Sequence, residues 1–162
     1  MAVAGTIGGS FSVHDRRTVG INTNVDIPIN WAPSTTFTDG VGALQGNQIY
    51  QGSLALTAGV YNFDLSGTLT DAYGTTVALA RVKAIGFANN GTNIMTLGNH
   101  ATAAWSTWLG ATSTKVVRPG GWFIDTAPDA TGWAVTATTA DILKIAGTGT
   151  DGFYIFLVGG LT

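Results

Sequence analysis

Between Val77 and Ala88 nearly every second residue is small. The even positions read Ala78, Ala80, Val82, Ala84, Gly86, Ala88, and the odd positions read Val77, Leu79, Arg81, Lys83, Ile85, Phe87. A size alternation of period two belongs to a strand with one small face and one bulky face. Ala and Gly favour strands poorly on their own, so the small face predicts close approach by another layer. Thr75, Thr76 and Val77 ahead of the run and Gly86 within it oppose a helix over 78–86. Asn89-Asn90-Gly91 ends the strand in a turn. Arg81 and Lys83 fall on the bulky face. They form either a solvated pair, the commoner outcome, or an inward pair whose stems pack while the heads reach a rim or a carboxylate.

The rest of the chain carries little charge to solubilise such a strand. Charged residues make up 10% of the 162 positions, against roughly 25% in an average domain. There is no Glu, and Gly numbers 23. A weakly ionic exterior of this kind associates readily, which points to surface hidden against partners. The net charge of −2 and the lack of a basic stripe beyond Arg16-Arg17 argue against a nucleic-acid partner. The absence of Cys excludes disulfides, thiolate metal sites and a Cys nucleophile. No membrane partner is expected, because the longest apolar run, Phe153 to Val158, is far short of roughly 18 residues. The opening MAVAGTIGGS has no basic segment and no long apolar run, so no signal peptide is expected.

Residues 1–10 are Gly-rich and uncharged, and read as an extended N-terminal arm, lying on a neighbour or frayed. Residues 11–162 read as a single domain. Phe11 to Val13 and Thr18 to Ile21 are strand candidates on either side of the polar cluster His14 to Arg17. Val25 to Ile29 alternates, with Pro28 placing it at an edge or a bulge. Trp31 to Gln48 reads as a long loop punctuated by Pro33, Asp39-Gly40 and Gly42. Gln48 to Leu56 is a strand, Thr57-Ala58-Gly59 a turn, and Tyr61, Phe63 and Leu65 line one face of the next strand. The stretches Val13 to Ile29 and Ile49 to Leu65 echo each other as two similar hairpins.

Asn93 to Leu97 is another strand. Trp105, Trp108 and Leu109, at i, i+3 and i+4, predict a turn or two of helix with two indoles packed inward. Thr114 to Arg118 runs into a type II turn at Pro119-Gly120-Gly121. Trp122 to Asp125, Trp133 to Thr136, Asp141 to Ala146 and Phe153 to Val158 follow as short strands. The spacing predicts an all-β sandwich or barrel with at most one short helix. In a sandwich, Tyr154, Phe156 and Val158, or their opposites, face outward, covered by another subunit or by a loop or the arm of the same chain.

The residues offer little for catalysis. His14 and Asp15 are sequence neighbours that point apart on a strand, and His100 sits in a loop, so neither builds a Ser-His-Asp set. Asp125 and Asp129 as a glycosidase pair fall on a turn already rich in structural Asp. No zinc or calcium spacing is present, and Gly147 to Thr150 lacks the Lys and helix of a phosphate loop. No cofactor and no enzyme activity are expected. An exposed Trp31, Trp105 or Trp122 would suit a carbohydrate-binding sandwich, although core packing is the commoner fate of such indoles.

The order Leu65-Ser-Gly-Thr-Leu-Thr-Asp-Ala-Tyr-Gly74, Ala80 to Ile85, Val117-Arg118-Pro119-Gly120-Gly121 and Ala127-Pro128-Asp129-Ala130-Thr131-Gly132-Trp133 resembles the head decoration, or cement, proteins of tailed bacteriophages. The similarity covers about the C-terminal two thirds, and the first 45 residues depart from it. The resemblance implies a jelly-roll-like sandwich with no catalytic residues, oligomerising as a homodimer or homotrimer. It implies a place on the outer capsid surface of the virion, assembled in the host cytoplasm, where the partner is the major capsid protein. The surfaces expected to make these contacts are Val3, Ile7 and Phe11 of the arm, the Arg16-Arg17 pair, and Tyr154, Phe156 and Val158. A tail or fibre module is the alternative within virion proteins.

Overall fold

The computed structural model describes residues 4–18, 24–67 and 69–160, and at 14–18 and 24–27 it describes the backbone. The chain opens with β1 (Gly5–Gly8), β2 (Phe11–Thr18), β3 (Asn24–Trp31), β4 (Ser34–Asp39) and β5 (Gln45–Gly46). Then come β6 (Gln48–Ala55), β7 (Val60–Asp64), β8 (Leu69–Thr70), β9 (Thr76–Val77), β10 (Arg81–Asn89) and β11 (Met95–Gly98). After the short helix α1 (Ser106–Leu109) follow β12 (Thr114–Val117), β13 (Trp122–Thr126), β14 (Trp133–Ala134), β15 (Ile142–Ala146) and β16 (Gly152–Gly160). The class is all-β with one short helix, as the sequence predicts.

Two antiparallel sheets face each other. The front sheet has the order β13-β10-β16-β6, with β14 also on β10, and the back sheet has the order β12-β11-β15-β7. Their inner faces meet in one core: Val82, Ile85, Phe87, Phe153, Ile155 and Leu157 from the front, Phe63, Met95, Leu97, Val117, Leu143 and Ile145 from the back. Rings of Phe63, Phe87 and Phe153 touch within it at centroid distances of 5.6 to 6.0 Å. These edge and offset contacts add to the burial itself. The indoles of Trp105 and Trp108 pack as expected for the i, i+3 spacing, stacked with centroids 5.5 Å apart. The turn at 118–121 closes by Gly121 N–H donating to Arg118 O, with Gly120 at φ +70°, the positive φ that a type II turn asks of its third residue.

The organising strand differs from its sequence reading in two ways. It begins at Arg81, since Val77 pairs with Leu69 in the β8–β9 hairpin. It also carries a bulge between Val82 and Ala84, opposite Gly159 and Val158. The extra residue, Lys83, switches the parity of the strand, so Val82 and then Ile85 and Phe87 face the core. Lys83 is therefore fully buried (0% exposed) and not part of a solvated pair. Its Nζ donates to Gly42 O and to Asp129 O, while Arg81 Nη1 donates to Ala130 O. Burial pushes the Lys83 ammonium below its ordinary pKa, with the Asp129 carboxylate acting against that shift.

The small face meets its predicted layer. Across from Gly86 lies Phe156, and Ala84 packs with Val158 and Phe37. Phe37 belongs to β4, which lies in the stretch read as a loop. STTFTD alternates with β-branched residues, and it pairs antiparallel with β1 and in parallel with β5 to make a three-stranded third layer over the front sheet. Turn residues on both sides of this strand masked its alternation. Further, β2 runs unbroken through the polar cluster, paired with β3 from Phe11↔Trp31 to Thr18↔Asn24. The expected strand at 19–21 lies outside the described residues. The echo of two hairpins does not hold either, because β6 and β7 sit in different sheets. Ala58 (φ +50°) and Gly59 (φ +83°) form the tight turn by which the chain crosses between them.

Candidate interaction surface

The third layer covers only part of the front sheet. At the β16 side it fits closely: a Cβ on Gly46 of β5 would stand 2.9 Å from Val158 Cγ1. Phe37 then seals Ala84 and Val158, and Ile7 of β1 packs against that cluster. Val158 is 6% exposed, so its cover comes from the same chain. Tyr154 and Phe156, on the same outer face, are half-buried, and Tyr154 Oη donates to Gln51 Oε1.

Towards β13 the cover stops. Trp122 and Ile124 project from the outer face there, at 64% and 36% exposed. A groove of about 350 Å³ opens between them and β1. Its walls are Ile7 to Phe11 on one side and Trp122, Ile124 and Thr126 on the other, with Trp31, Pro33, Ser34 and Thr35 closing it. Among the described residues no charged side chain lines it.

The β2–β3 ribbon extends this apolar surface. Register places Phe11 opposite Trp31 and Val13 opposite Ile29, and all four are exposed, Phe11 at 51% and Trp31 at 67%. The other face of the ribbon is polar at its base, where Ser12 Oγ donates to Asn30 Oδ1 at 2.7 Å. Two-stranded ribbons are marginal alone in water, and one with an apolar face left wet forgoes the burial that would hold it. Pro28 is tolerated because a two-stranded ribbon has a free edge on each strand.

Of the residues expected to make contacts, the structure brings Ile7, Phe11, Tyr154, Phe156 and Val158 to one side of the molecule. Val3 lies outside the described residues, as do the side chains of Arg16 and Arg17, whose backbones pair with Asp26 and Val25 in the ribbon. Sequence reasoning placed no contact at Ile124, and weighed Trp122 as a sugar-stacking residue only. The alternation Trp122, Ile124, Thr126 against Phe123 and Asp125 was the available signal.

Of the residues weighed for catalysis, His14 and Asp15 lie in β2, on the ribbon, with side chains outside the described residues, and the others are held in local structure. His100 Nδ1 accepts the Ala103 N–H in its loop. Asp125 accepts from Trp108 Nε1 and from the Thr126 N–H. Asp129 accepts the N–H groups of Gly132 and Thr131, which hold its carboxyl below the usual range. A feature that sequence reasoning missed is the meeting of Asp64 Oδ1 and Asp141 Oδ2 at Ser66 Oγ, each 2.9 Å away. Asp141 is 4% exposed and its Oδ1 has no partner among the described residues. Among the described residues no group of three or more His, Cys, Asp or Glu is placed to hold a metal ion, and no helix is long and apolar enough to cross a membrane.

Comparison with protein-family models, with curated proteins and with solved structures finds no match to this chain.

Proposed function

We propose that this protein is a structural virion protein, a cement or decoration protein that binds the outer surface of a phage head and stabilises the assembled shell. The observation that carries the reading is an apolar cluster: Phe11, Val13, Ile29, Trp31, Trp122 and Ile124 are exposed together beside a groove that, among the described residues, no charged side chain lines. Exposed aromatic side chains clustered without charge are the composition of interface centres, not of ordinary surface. The partners are the major capsid protein and further copies of this chain, and the jelly-roll-like form belongs to the same proposal. A protein that binds only the assembled shell stabilises that state by mass action. Mass spectrometry of purified particles, joined to immunogold labelling, tests the reading. Label spread over the head supports it, label at one vertex assigns the protein to a tail, and absence from particles removes the proposal.

One observation favours a second reading. Trp31 and Trp122 are exposed and line the same groove, the arrangement a carbohydrate-binding sandwich uses to stack sugar rings. Trp105 has no part in it, being buried with its Nε1 donating to Ala134 O. Glycan-array binding that disappears in Trp31→Ala and Trp122→Ala supports this reading, and an array with no binding rejects it.

A further inference from the structure

The third layer stops short of the β13 edge of the front sheet. It runs β5-β4-β1 across the outer face of the front sheet, from β16 towards β13, and ends at β1 beside the exposed Trp122 and Ile124. The hydrogen-bond pattern of β1 shows what its free edge offers. Gly9 N–H donates to Pro33 O, so by antiparallel alternation the N–H groups at 5 and 7 also face β4, while those of Thr6 and Gly8 face away. Among the described residues, no backbone group pairs with that outward row or with the outer edge of β13, where the Thr126 N–H alone has an acceptor, Asp125 Oδ1. An open edge, a groove beside it and apolar residues beneath it are the three elements of strand addition.

We propose that the groove is the seat of an extended segment from the assembly partner, which adds as a fourth strand to the free edge of β1 and covers Trp122 and Ile124. This rests on the reading of that side as the contact surface, and names the form of the partner there. The segment runs for about four residues, the length of β1, or roughly 13 Å. It is uncharged, because among the described residues no charged side chain lines the groove to pair with it. Its residues alternate, apolar towards Trp122 and Ile124 and small or polar outward. Main-chain bonds to Thr6 and Gly8 supply register, and the indole of Trp122 supplies apolar contact.

The test uses the full chain and a displayed library of random heptapeptides. The expected winners are uncharged and alternate apolar with small polar residues. A synthetic copy of the best one shifts indole emission to the blue as Trp122 is covered. N-methylation of alternate amides in that peptide separates a strand from any other mode. Methylating the set that faces β1 abolishes binding, while methylating the other set leaves it intact. On the protein side, Thr6→Pro removes an outward donor and weakens binding about tenfold. Thr6→Val, which removes only the hydroxyl that meets Thr36 Oγ1, binds as the parent does. Enrichment of charged or helical peptides, no enrichment, or equal binding by the two methylated sets overturns the proposal, whether or not Thr6→Pro folds. Absence of the protein from phage particles would remove the cement reading and leave this peptide result standing, so the two failures are told apart.

Discussion

The ring of Phe156 lies across Gly86 on the neighbouring strand, so near that a Cβ on Gly86 would stand 1.9 Å from Phe156 Cε1. This contact explains the small face of β10. Glycine there lets an aromatic ring from β16 fill the space above the sheet, and Phe156 remains half-buried where its outer face would otherwise be open.

Replacing Gly86 by Val forces that ring out. The cost expected for such overpacking is about 1–3 kcal/mol. Each kcal/mol lowers Tm by about 2–4 °C for a domain of this size. Thermal unfolding reads it directly, and an unchanged Tm would mean the ring is not seated over Gly86.

Much of the fold was legible because strand faces and turns are local. The two alternating faces of Phe153 to Val158, the two indoles around α1 and the turn at Pro119-Gly120 all follow from spacing, whereas spacing left open that Phe153, Ile155 and Leu157 are the inward set. What was not legible depended on a single inserted residue or on a distant partner. The bulge at Lys83 reverses the faces of β10 with no mark in the sequence except a lysine among small residues. Strand β4 hides among Pro33, Asp39 and Gly40. Its partner is the N-terminal strand, 32 positions away at Gly5↔Phe37 and 26 at Gly8↔Ser34, and no local pattern announces such a pairing. The candidate interaction surface was half visible for the same reason. Ile7, Phe11 and the last strand read as apolar, whereas Trp122 and Ile124 join them only through the sheet order.

Lys83 gives a pH dependence whose sign follows from its burial. Its folded pKa lies below the ordinary value of 10.5, so the unfolded chain holds more protons between the two values, and this group makes stability rise with pH across that window. Below the folded pKa the penalty for the buried charge is constant. Comparison of urea unfolding for the parent and Lys83→Met at neutral and alkaline pH checks this. The difference in pH slope between the two proteins should be positive for the parent and confined to the window beneath 10.5. A parent slope no steeper than that of the variant would contradict it.

Ser66→Ala removes the hydroxyl at which Asp64 and Asp141 meet. Among the described residues Asp141 Oδ2 then keeps only the Thr138 N–H, and its Oδ1 already has no partner. Leaving a buried carboxylate short of donors costs about 1–3 kcal/mol, measurable as a lower urea midpoint at unchanged m-value.

Trp31→Ala and Trp122→Ala test the division between folding and contact. Both side chains are largely wet in the isolated chain, so stability should change by no more than about 0.5 kcal/mol. Binding to shells should fall by about tenfold or more for each, since truncating a central aromatic at an interface costs upwards of about 1–2 kcal/mol. A pull-down with particles that lack the protein, run beside thermal unfolding, separates the two effects.

The most direct measurement is amide hydrogen exchange of the free chain against the chain bound to assembled heads. Exchange at Thr6, Gly8 and the outer edge of Trp122 to Thr126 should slow on binding, while the back sheet, β12-β11-β15-β7, exchanges as before. Unchanged exchange along β1 and β13, or protection confined to the back sheet, would contradict the claim that the open apolar side is closed by the shell.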